Sequence, residues 1–155
     1  MKIRGVAVNN RKKSFEVRAG RRTLPFPFAK AAPEPSTADP VSRAFVDREL
    51  GGEAFSFVLA SGREGTVHIE EVLEYNQDPA WVRERLLYTL TLEAQRRLAE
   101  SPLSKREIVR RLGTSASQFY RIVDQRNYRK SVDQVLGLLH VLDCEVEVIV
   151  RTKSA

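Results

Sequence analysis

Few side chains in this 155-residue chain could perform acid–base, nucleophilic or metal chemistry. The chain has two histidines, His68 and His140, and one cysteine, Cys144. Neither histidine has a Ser, Cys or Asp at a spacing that predicts a catalytic triad. One cysteine cannot form an internal disulfide or a cysteine-based metal cage. The glutamates at 70–74 lack Asp and His companions for a metal. We therefore expect a protein that is not an enzyme and that holds no metal or cofactor.

The chemistry that the sequence does favour is the attraction of phosphate groups. The formal net charge is +6, and it is unevenly distributed. Residues 1–30 carry nine Lys or Arg and one acid, residues 31–80 carry three basic and ten acidic residues, and residues 81–155 carry fourteen and nine. Within the last segment, residues 104–130 hold eight Lys or Arg and two acids. Such patches attract nucleic acids, although charge alone leaves an ordinary solvated surface equally open.

Helices that could position this basic segment are predicted from Asp78 onward, where apolar residues recur with the helical period. Asp78 is an N-cap and Pro79 takes the first helical position of a long helix that ends near Glu100. Three serines then each precede a Glu or Gln by three residues, the pattern of a capping box. These pairs are Ser104…Glu107, Ser115…Gln118 and Ser131…Gln134. They predict three successive helix starts, and the last helix should run to about Leu142.

The second and third of these helices are separated by a very short turn. Gly113 supplies the positive φ that ends the second helix after Leu112, and Thr114 and Ser115 begin the next. The apolar residues of both helices fall where two steeply crossing helices would share a core. They are Ile108, Val109, Leu112, Phe119, Ile122 and Val123. This is the pattern of a helix-turn-helix.

The stretch SKREIVRRLGTSASQFYRIVD (104–124) resembles the Xre/Cro family of phage-repressor-type DNA-binding domains. The matched core consists of Ile108, Leu112, Gly113, Ser115, Ser117, Phe119, Arg121 and Ile122. The resemblance continues into the next helix and covers less than half of the chain. Val109 replaces the usual small alanine at the helix crossing, which implies slightly wider helix spacing. Phe119 is larger than the usual Ile or Val, and Ser104 replaces a longer phosphate-binding residue. None of these departures breaks the motif.

The resemblance implies that the third helix is a recognition helix, which enters the major groove of duplex DNA. In this register Gln118 can pair with an adenine edge and Arg121 with a guanine, while the Ala116 methyl can touch a thymine methyl. Ser117 and Tyr120 lie on or near the same exposed face. Contacts to the DNA backbone are expected from the helix starts and from the basic loop after the recognition helix. These residues are Ser104, Lys105, Thr114, Ser115, Arg126, Asn127, Tyr128, Arg129 and Lys130.

The first half of the chain predicts a small, mostly antiparallel sheet. Apolar and polar residues alternate over 15–19, 55–59 and 67–69, with Asn and Gly turn signals between them. The prolines of LPFPF (24–28) place that run at a sheet edge or in a loop, because proline cannot donate to a central ladder.

Two further features complete this half. The proline-rich residues 31–42 predict a flexible loop. Short helices are expected over residues 41–49 and near residues 70–74.

The end of the chain, SVDQVLGLLHVLDCEVEVIV (131–150), resembles the tail of HipB-type antitoxins. In those proteins a last helix is followed by a strand that pairs with the same strand of a second subunit. The helix here carries an apolar stripe that a lone unit can rarely cover. Its members are Val132, Val135, Leu136, Leu138, Leu139, Val141 and Leu142. Val146, Val148 and Val150 then predict a strand, so we expect a homodimer with recognition helices about 34 Å apart. Pairing with the N-terminal sheet of the same chain is the alternative.

The hairpin pattern and the stretch LASGREGTVHIEEVL (59–73) resemble DUF2442-like domains, small β-rich domains found beside such helix-turn-helix modules in bacteria. The resemblance implies a toxin-binding surface, a ligand sensor or an added dimer contact. The basic run Arg11-Lys12-Lys13, with Arg18, Arg21 and Arg22, either extends the DNA footprint or is a solvated hairpin face.

The sequence as a whole predicts an α+β protein. A small antiparallel β-rich domain (1–76) should precede an all-α helix-turn-helix domain with a C-terminal dimerisation strand (77–155). We expect a sequence-specific transcriptional regulator of the Xre type that binds double-stranded DNA and acts as a repressor. The most specific hypothesis is an autoregulating antitoxin that binds a toxin through residues 1–76.

Three other classes compete with this one. A ligand-sensing regulator would show a pocket in residues 1–75, a protein-interaction module would leave Arg121 dispensable, and an RNA binder would prefer single strands. No apolar run approaches the ~18 residues of a membrane span, and the start does not resemble a secretory signal, so we expect a cytoplasmic protein that does not bind membranes.

Overall fold

The computed structural model describes residues 1–153. Within them the protein is α+β, with two three-stranded antiparallel sheets and five α-helices. The chain divides into two compact units, a first unit that ends at Trp81 and a second that begins at Val82. The predicted fold class is confirmed.

The first sheet is a meander of β1 (Ile3–Asn9), β2 (Ser14–Ala19) and β3 (Arg22–Pro27), here called the first meander. β2 is the central strand, and its Phe15, Val17 and Ala19 are buried, as the alternating pattern predicts. β3 carries the two prolines and is an outer strand of the sheet. The predicted edge position is confirmed.

The second sheet is a meander of β4 (Val41–Asp47), β5 (Ala54–Leu59) and β6 (Glu64–His68), here called the second meander. The helix predicted over residues 41–49 is wrong. β4 instead pairs with β5 from Val41, opposite Leu59, to Asp47, opposite Ala54. Its β-branched and aromatic residues suit a strand, and pairing with β5 overrides the weak local preference for helix.

The two meanders share one architecture. In each, the first strand has a register shift directly after its first pair, between Ile3 and Gly5 in β1 and between Val41 and Arg43 in β4. Aromatic rings from both meanders meet in one core, where the Phe15 centroid lies 4.9 Å from that of Phe55 and 5.0 Å from that of Phe57. The first unit is thus built from two similar halves around a phenylalanine cluster.

The segment between the meanders contains a short 3₁₀ turn, Phe28–Lys30, and then no helix or strand up to β4. This segment is anchored by Asp39. The Asp39 carboxylate accepts from the Ser61 backbone N–H at 2.8 Å, from the Ser61 hydroxyl at 2.6 Å and from Arg63 at 3.0 Å. The bonds from Ser61, and then the charge of Arg63, hold the pKa of Asp39 below its usual value.

The first unit closes with α1 (Ile69–Asn76), so the helix expected near residues 70–74 is confirmed. His68 caps this helix, accepting from the Glu70 backbone N–H at 3.2 Å, while the Glu71 carboxylate accepts from the His68 backbone N–H at 3.0 Å. Capping is the role of this histidine in the structure.

The second unit consists of the long helix α2 (Pro79–Glu100), whose first turn contains the boundary between the units, and of α3 (Lys105–Leu112), α4 (Ala116–Val123) and α5 (Val132–Val141). The predicted helix starts are confirmed. Asp78 accepts from the backbone N–H of Trp81 at 3.2 Å.

The three predicted serine caps also form. Ser104, Ser115 and Ser131 each accept from the backbone N–H three residues later, at 3.1, 3.2 and 3.1 Å. The reciprocal half of the box is present at Ser131, where the Gln134 side chain accepts from the Ser131 backbone N–H. Glu107 instead pairs with arginines of its own helix.

The four helices of the second unit share one apolar core, which includes the core predicted between α3 and α4. Its buried members are Leu87, Ala94, Ile108, Phe119, Ile122, Val135, Leu138 and Leu139. Val109, Leu112 and Val123 are half-buried against it. His140, in contrast, is exposed on α5 and takes no part in this core.

The strand predicted over residues 146–150 is not formed. Val148 is 82% exposed and Val150 89% exposed, and the backbone from Cys144 to Val150 is neither helix nor strand. Every strand that the structure describes lies between Ile3 and His68, so pairing with the N-terminal sheet of the same chain is also wrong. A strand needs a hydrogen-bonded neighbour, and the described part of this chain offers none.

Candidate nucleic-acid interface

The helices α3 and α4 are joined by three residues, Gly113 to Ser115. Gly113 has a left-handed backbone with φ 65°, and its N–H donates to the carbonyl of Arg110 at 3.1 Å. Thr114 N–H donates to the carbonyl of Val109 at 3.4 Å. These bonds end α3, and the Ser115 hydroxyl begins α4 immediately afterward. The turn therefore fixes where α4 starts and which of its faces is buried.

α4 buries Phe119 and Ile122 and presents its small and polar residues to solvent. Of the five residues predicted on or near the exposed face of the recognition helix, Ala116, Ser117, Tyr120 and Arg121 are exposed and Gln118 is half-buried. The Ser117 hydroxyl lies 3.2 Å from that of Ser115, at the first turn of α4. The structure thus brings these residues together on one side of a short helix.

Tyr120 is 55% exposed, and its ring packs edge-on against buried Phe119. The Lys105 ammonium lies 5.7 Å from the centroid of the Tyr120 ring, within the range of a cation–π contact. This contact joins the first turn of α3 to the exposed face of α4. It places a cation beside an exposed aromatic ring, and both groups are ones that nucleic acids bind.

The surface of α3 is dominated by arginines arranged around one acid. The Glu107 carboxylate accepts from Arg110 at 2.5 Å and from Arg111 at 3.0 Å. Hydrogen bonds from Arg110 and then Arg111 lower the pKa of Glu107 to about 2. Glu107 therefore stays ionised and offsets one of the two guanidinium charges, while Arg106 is exposed on the same helix.

Lys130, predicted as a contact to the DNA backbone, is instead 4% exposed. Its ammonium donates to the carbonyl oxygens of Ile122 and Asp124, each at 2.8 Å. Burial lowers the pKa of this lysine, and the charge of Asp124 partly opposes the effect. The ammonium satisfies carbonyls at the end of α4 that lack intrahelical donors. We therefore remove Lys130 from the candidate interface.

The loop that precedes Lys130 is internally bonded. The Asn127 side chain donates to the carbonyl of Arg121 at 3.0 Å and accepts from the Arg129 backbone N–H at 3.1 Å. Asp124 accepts from the Arg126 backbone N–H at 2.9 Å. Asn127 is thus engaged in shaping the loop, whereas Arg126, Tyr128 and Arg129 are exposed.

Two side chains of α2, which the sequence analysis does not predict, form hydrogen bonds with the backbone of the same loop and of the end of α4. Arg83 donates to the carbonyl of Tyr128 at 3.0 Å and to that of Lys130 at 3.2 Å. Gln95 donates to the carbonyl of Val123 at 2.7 Å. No local pattern signals such bonds, because their partners are dozens of residues apart in the chain.

The exposed end of α4 and this loop border an open cleft of about 650 Å³. Its lining residues are Gln118, Arg121, Asp124, Asn127, Arg129, Lys130 and Gln134. The exposed guanidinium groups of Arg121 and Arg129 make the cleft suited to an anion.

A second open cleft, of about 660 Å³, lies within the first unit. Its lining residues are Asn10, Lys12, Lys13, Pro27, Phe28, Ala29, Glu34, Pro35, Ser36, Thr37 and Pro40. Its rim carries two exposed lysines, and Phe28 and Pro35 are buried beneath it.

Within residues 1–153, no group of three or more His, Cys, Asp or Glu side chains is arranged to hold a metal ion. None of the described helices is both long enough and apolar enough to cross a bilayer. Comparison of the chain with protein-family models, curated proteins and solved structures finds no match.

Proposed function

We propose that the chain is a sequence-specific regulator that binds double-stranded DNA through α3 and α4. The observation that carries the proposal is the two-sidedness of α4. Its buried face is fixed by Phe119 and Ile122, and its other face presents Ala116, Ser117 and Arg121 directly after a tight turn. An α-helix fits the major groove, and residues near its N-terminus reach the base edges.

The charge around α4 supports the same function. Exposed cations flank it on α3 and on the following loop, and they are Lys105, Arg106, Arg110, Arg111, Arg126 and Arg129. Cations that contact phosphates give an affinity that does not depend on sequence and that falls steeply with salt. Ser104, Thr114 and Ser115, with the backbone N–H groups at the helix starts, suit the same phosphates.

Within this proposal Arg121 pairs with a guanine, Gln118 with an adenine, and the Ala116 methyl contacts a thymine methyl. Tyr120 lies beside the Lys105 cation on the exposed face of α4, and Tyr128 in the following loop contacts the DNA backbone. The most specific form of this proposal is a repressor that occupies its operator, regulates its own expression and binds a toxin through residues 1–76. These three roles rest on the family resemblance alone.

We also propose that two chains associate through the extended segment after α5. Its Val148, Ile149 and Val150 are largely exposed, and the alternation of apolar residues at 146, 148 and 150 suits a strand. A second copy of the segment can supply the missing neighbour around a two-fold axis. Such a dimer would match a pseudo-palindromic operator.

The test is a fluorescence-anisotropy titration of the whole protein against duplex DNA from its own upstream region and against a scrambled duplex, at several salt concentrations. We expect a preference of ~10³-fold or more for the native duplex and a steep loss of affinity as salt rises. Equal and weak binding to both duplexes would mean that the surface attracts DNA by charge alone and does not read its sequence. Tighter binding to single strands than to duplex would favour an RNA-binding protein instead.

The cleft at Lys12 and Lys13 favours a second candidate, a regulator that responds to a small anionic ligand. Its volume of about 660 Å³ suits a small molecule. The check is thermal unfolding in the presence of small phosphate and carboxylate anions. A ligand that binds only the folded state raises the unfolding temperature further as its concentration increases above the Kd, whereas an unchanged temperature across the series would argue against this role.

A further inference from the structure

The two meanders of the first unit have the same architecture and opposite charge. Residues 1–30, which include the first meander, contain nine Lys or Arg and one acid, whereas residues 31–80, which include the second meander and α1, contain three basic and ten acidic residues. All nine cations of residues 1–30 are exposed. Positive charge is therefore concentrated in one half of this unit and negative charge in the other.

The cations of the first meander are also largely unmatched. Among the described residues, Arg22 is the only one of the nine that pairs with a carboxylate, that of Asp78. The single acid, Glu16, lies within hydrogen-bond distance of the Asn9 amide, at 3.4 Å, and the Ser14 hydroxyl, at 3.5 Å. In the second meander, by contrast, Arg63 pairs with Asp39 at 3.0 Å.

These cations lie at both ends of the first sheet. Arg11, Lys12 and Lys13 form the turn between β1 and β2, and Arg18 and Arg21 lie at the opposite end of β2. A six-residue strand spans about 20 Å, at ~3.4 Å per residue. Duplex DNA carries one charge per ~1.7 Å of its axis, so a surface of this length can face several phosphates.

The outer face between the two ends carries small side chains from β1 and longer ones from β2. Gly5 and Ala7 lie on it in β1, opposite Arg18 and Glu16 of β2. The Arg18 guanidinium lies across Gly5, 2.8 Å from the point where a Cβ of residue 5 would stand, and its Nη2 is 3.5 Å from the carbonyl of Arg4.

We propose that the first meander is a second phosphate-binding surface, which binds the backbone of duplex DNA without reading its sequence; the choice of duplex DNA as partner rests on the proposed function. A surface that serves only solubility mixes both signs, and clustered like charges repel one another. Residues 1–30 present eight exposed cations for which the structure describes no carboxylate partner, and these cations fit a polyanionic partner, with which each phosphate contact releases counterions.

The experiment compares the salt dependence of DNA binding for the whole wild-type chain, for Arg11→Gln and for the double variant Arg11→Gln/Lys12→Gln. The matched control is Arg48→Gln, because Arg48 is an exposed arginine in the corresponding turn of the second meander. Binding is measured on a scrambled duplex, where base reading contributes nothing. Circular dichroism and thermal unfolding verify that each variant folds like the wild type.

We expect the slope of log affinity against log salt to become shallower by ~0.9 for each phosphate contact that is lost, hence by about 0.9 in the single variant and about 1.8 in the double variant. The Arg48→Gln control should keep the wild-type slope. A wild-type slope and affinity in the double variant would overturn the proposal. So would a double variant that loses affinity for single-stranded RNA while retaining it for duplex DNA.

This outcome is independent of the proposed function of α4. That function fails if the wild type does not distinguish its own upstream duplex from a scrambled one, whatever the slopes. The first-meander surface fails if the slopes do not change, even where the sequence preference is strong.

Discussion

The ammonium nitrogen of Lys130 lies 2.8 Å from the carbonyl oxygen of Ile122, eight residues earlier in the chain. Ile122 follows Arg121, the residue to which we assign guanine reading, so a buried cation fixes the turn of α4 that presents this arginine. The same ammonium also satisfies the carbonyl of Asp124. The end of α4 is thereby held without a glycine C-cap.

Replacing this cation should weaken the second unit. In Lys130→Met the apolar stem is retained, but two carbonyls lose a buried donor, so we expect the free energy of unfolding to fall by about 1–3 kcal/mol. Chemical denaturation measures the change. Arg129→Met, one residue away and exposed, should unfold nearly like the wild type. Equal stability of Lys130→Met and Arg129→Met would contradict the role of the ammonium.

Arg121→Ala should relax specificity at one position of the DNA site. Loss of a bidentate contact to guanine costs ~1–3 kcal/mol of binding free energy, and discrimination at that base pair should fall with it. Anisotropy titrations against single-base-pair variants of the site measure both quantities. Arg85→Ala removes an exposed arginine of α2 and is the control. Undiminished discrimination in Arg121→Ala would assign the helix to protein contacts instead.

Glu107 makes the stability of the second unit depend on pH. Its arginine partners hold its pKa at about 2 in the folded protein, against an ordinary value of 4.5. Because the folded pKa is the lower one, this contribution is present above pH 4.5 and is lost as pH falls toward 2. The wild type should therefore exceed Glu107→Gln in stability at neutral pH, and the difference should vanish in acid. Denaturation midpoints across this range test it, and a constant difference would refute it.

The second unit offers a repeat of that experiment. Glu93 on α2 pairs with Arg96 at 2.6 Å and Arg97 at 2.9 Å, and these arginines lower the pKa of Glu93 to about 2 as well. Glu93→Gln should reproduce the acid-dependent loss.

Two glycines should respond in opposite ways to alanine. A Cβ at Gly65 would lie 2.4 Å from the ring of Phe57 and 2.6 Å from the carbonyl oxygen of Ala32, so Gly65→Ala should destabilise the first unit by about 1–3 kcal/mol. A Cβ at Gly137 would meet only Leu112, at 3.9 Å. Gly137 lies inside α5, so Gly137→Ala should stabilise by about 1 kcal/mol. Thermal unfolding of both variants measures these changes. An unchanged unfolding temperature in Gly65→Ala would contradict the close packing of Gly65 against Phe57 and Ala32.

Deletion of residues 144–155 should abolish self-association. Without the exposed segment after α5, the proposed two-fold pair of tail strands cannot form, and sedimentation velocity should find monomers. Val148→Asp in the full chain is a milder test, because a charge in the apolar row opposes pairing. Dimers that persist in both variants would place the contact elsewhere.

The features that the sequence predicts well are those that neighbouring residues decide. Ser104, Ser115 and Ser131 each act on an N–H three residues away, and Gly113 ends α3 through its own backbone conformation. The burial of Phe119 likewise follows from periodicity alone. Such signals are complete within one or two helical turns, so they can be read without knowing the rest of the fold.

The errors concern residues whose partners lie elsewhere. β4 was expected to be a helix because its pairing with β5 cannot be seen locally. The sequence predicts that Lys130 contacts phosphates, because it lies in a basic loop. Nothing in that loop indicates that the Lys130 ammonium donates to the carbonyl oxygens of Ile122 and Asp124. The segment at 146–150 has the pattern of a strand, yet a pattern cannot create the neighbour that a strand requires.

Pro25 and Pro27 limit the addition of a further strand at one edge of the first meander. Both lie on β3, the outer strand of the first meander, opposite Glu16 and Ser14 of β2. Since proline lacks an N–H, this edge cannot offer an unbroken ladder to an incoming chain. The segment at 145–150 contains no proline and keeps every donor. In the dimer that we propose, strands would pair at the tail around a closed two-fold axis, and not at the β3 edge, where open-ended stacking of sheets would lead to fibrils.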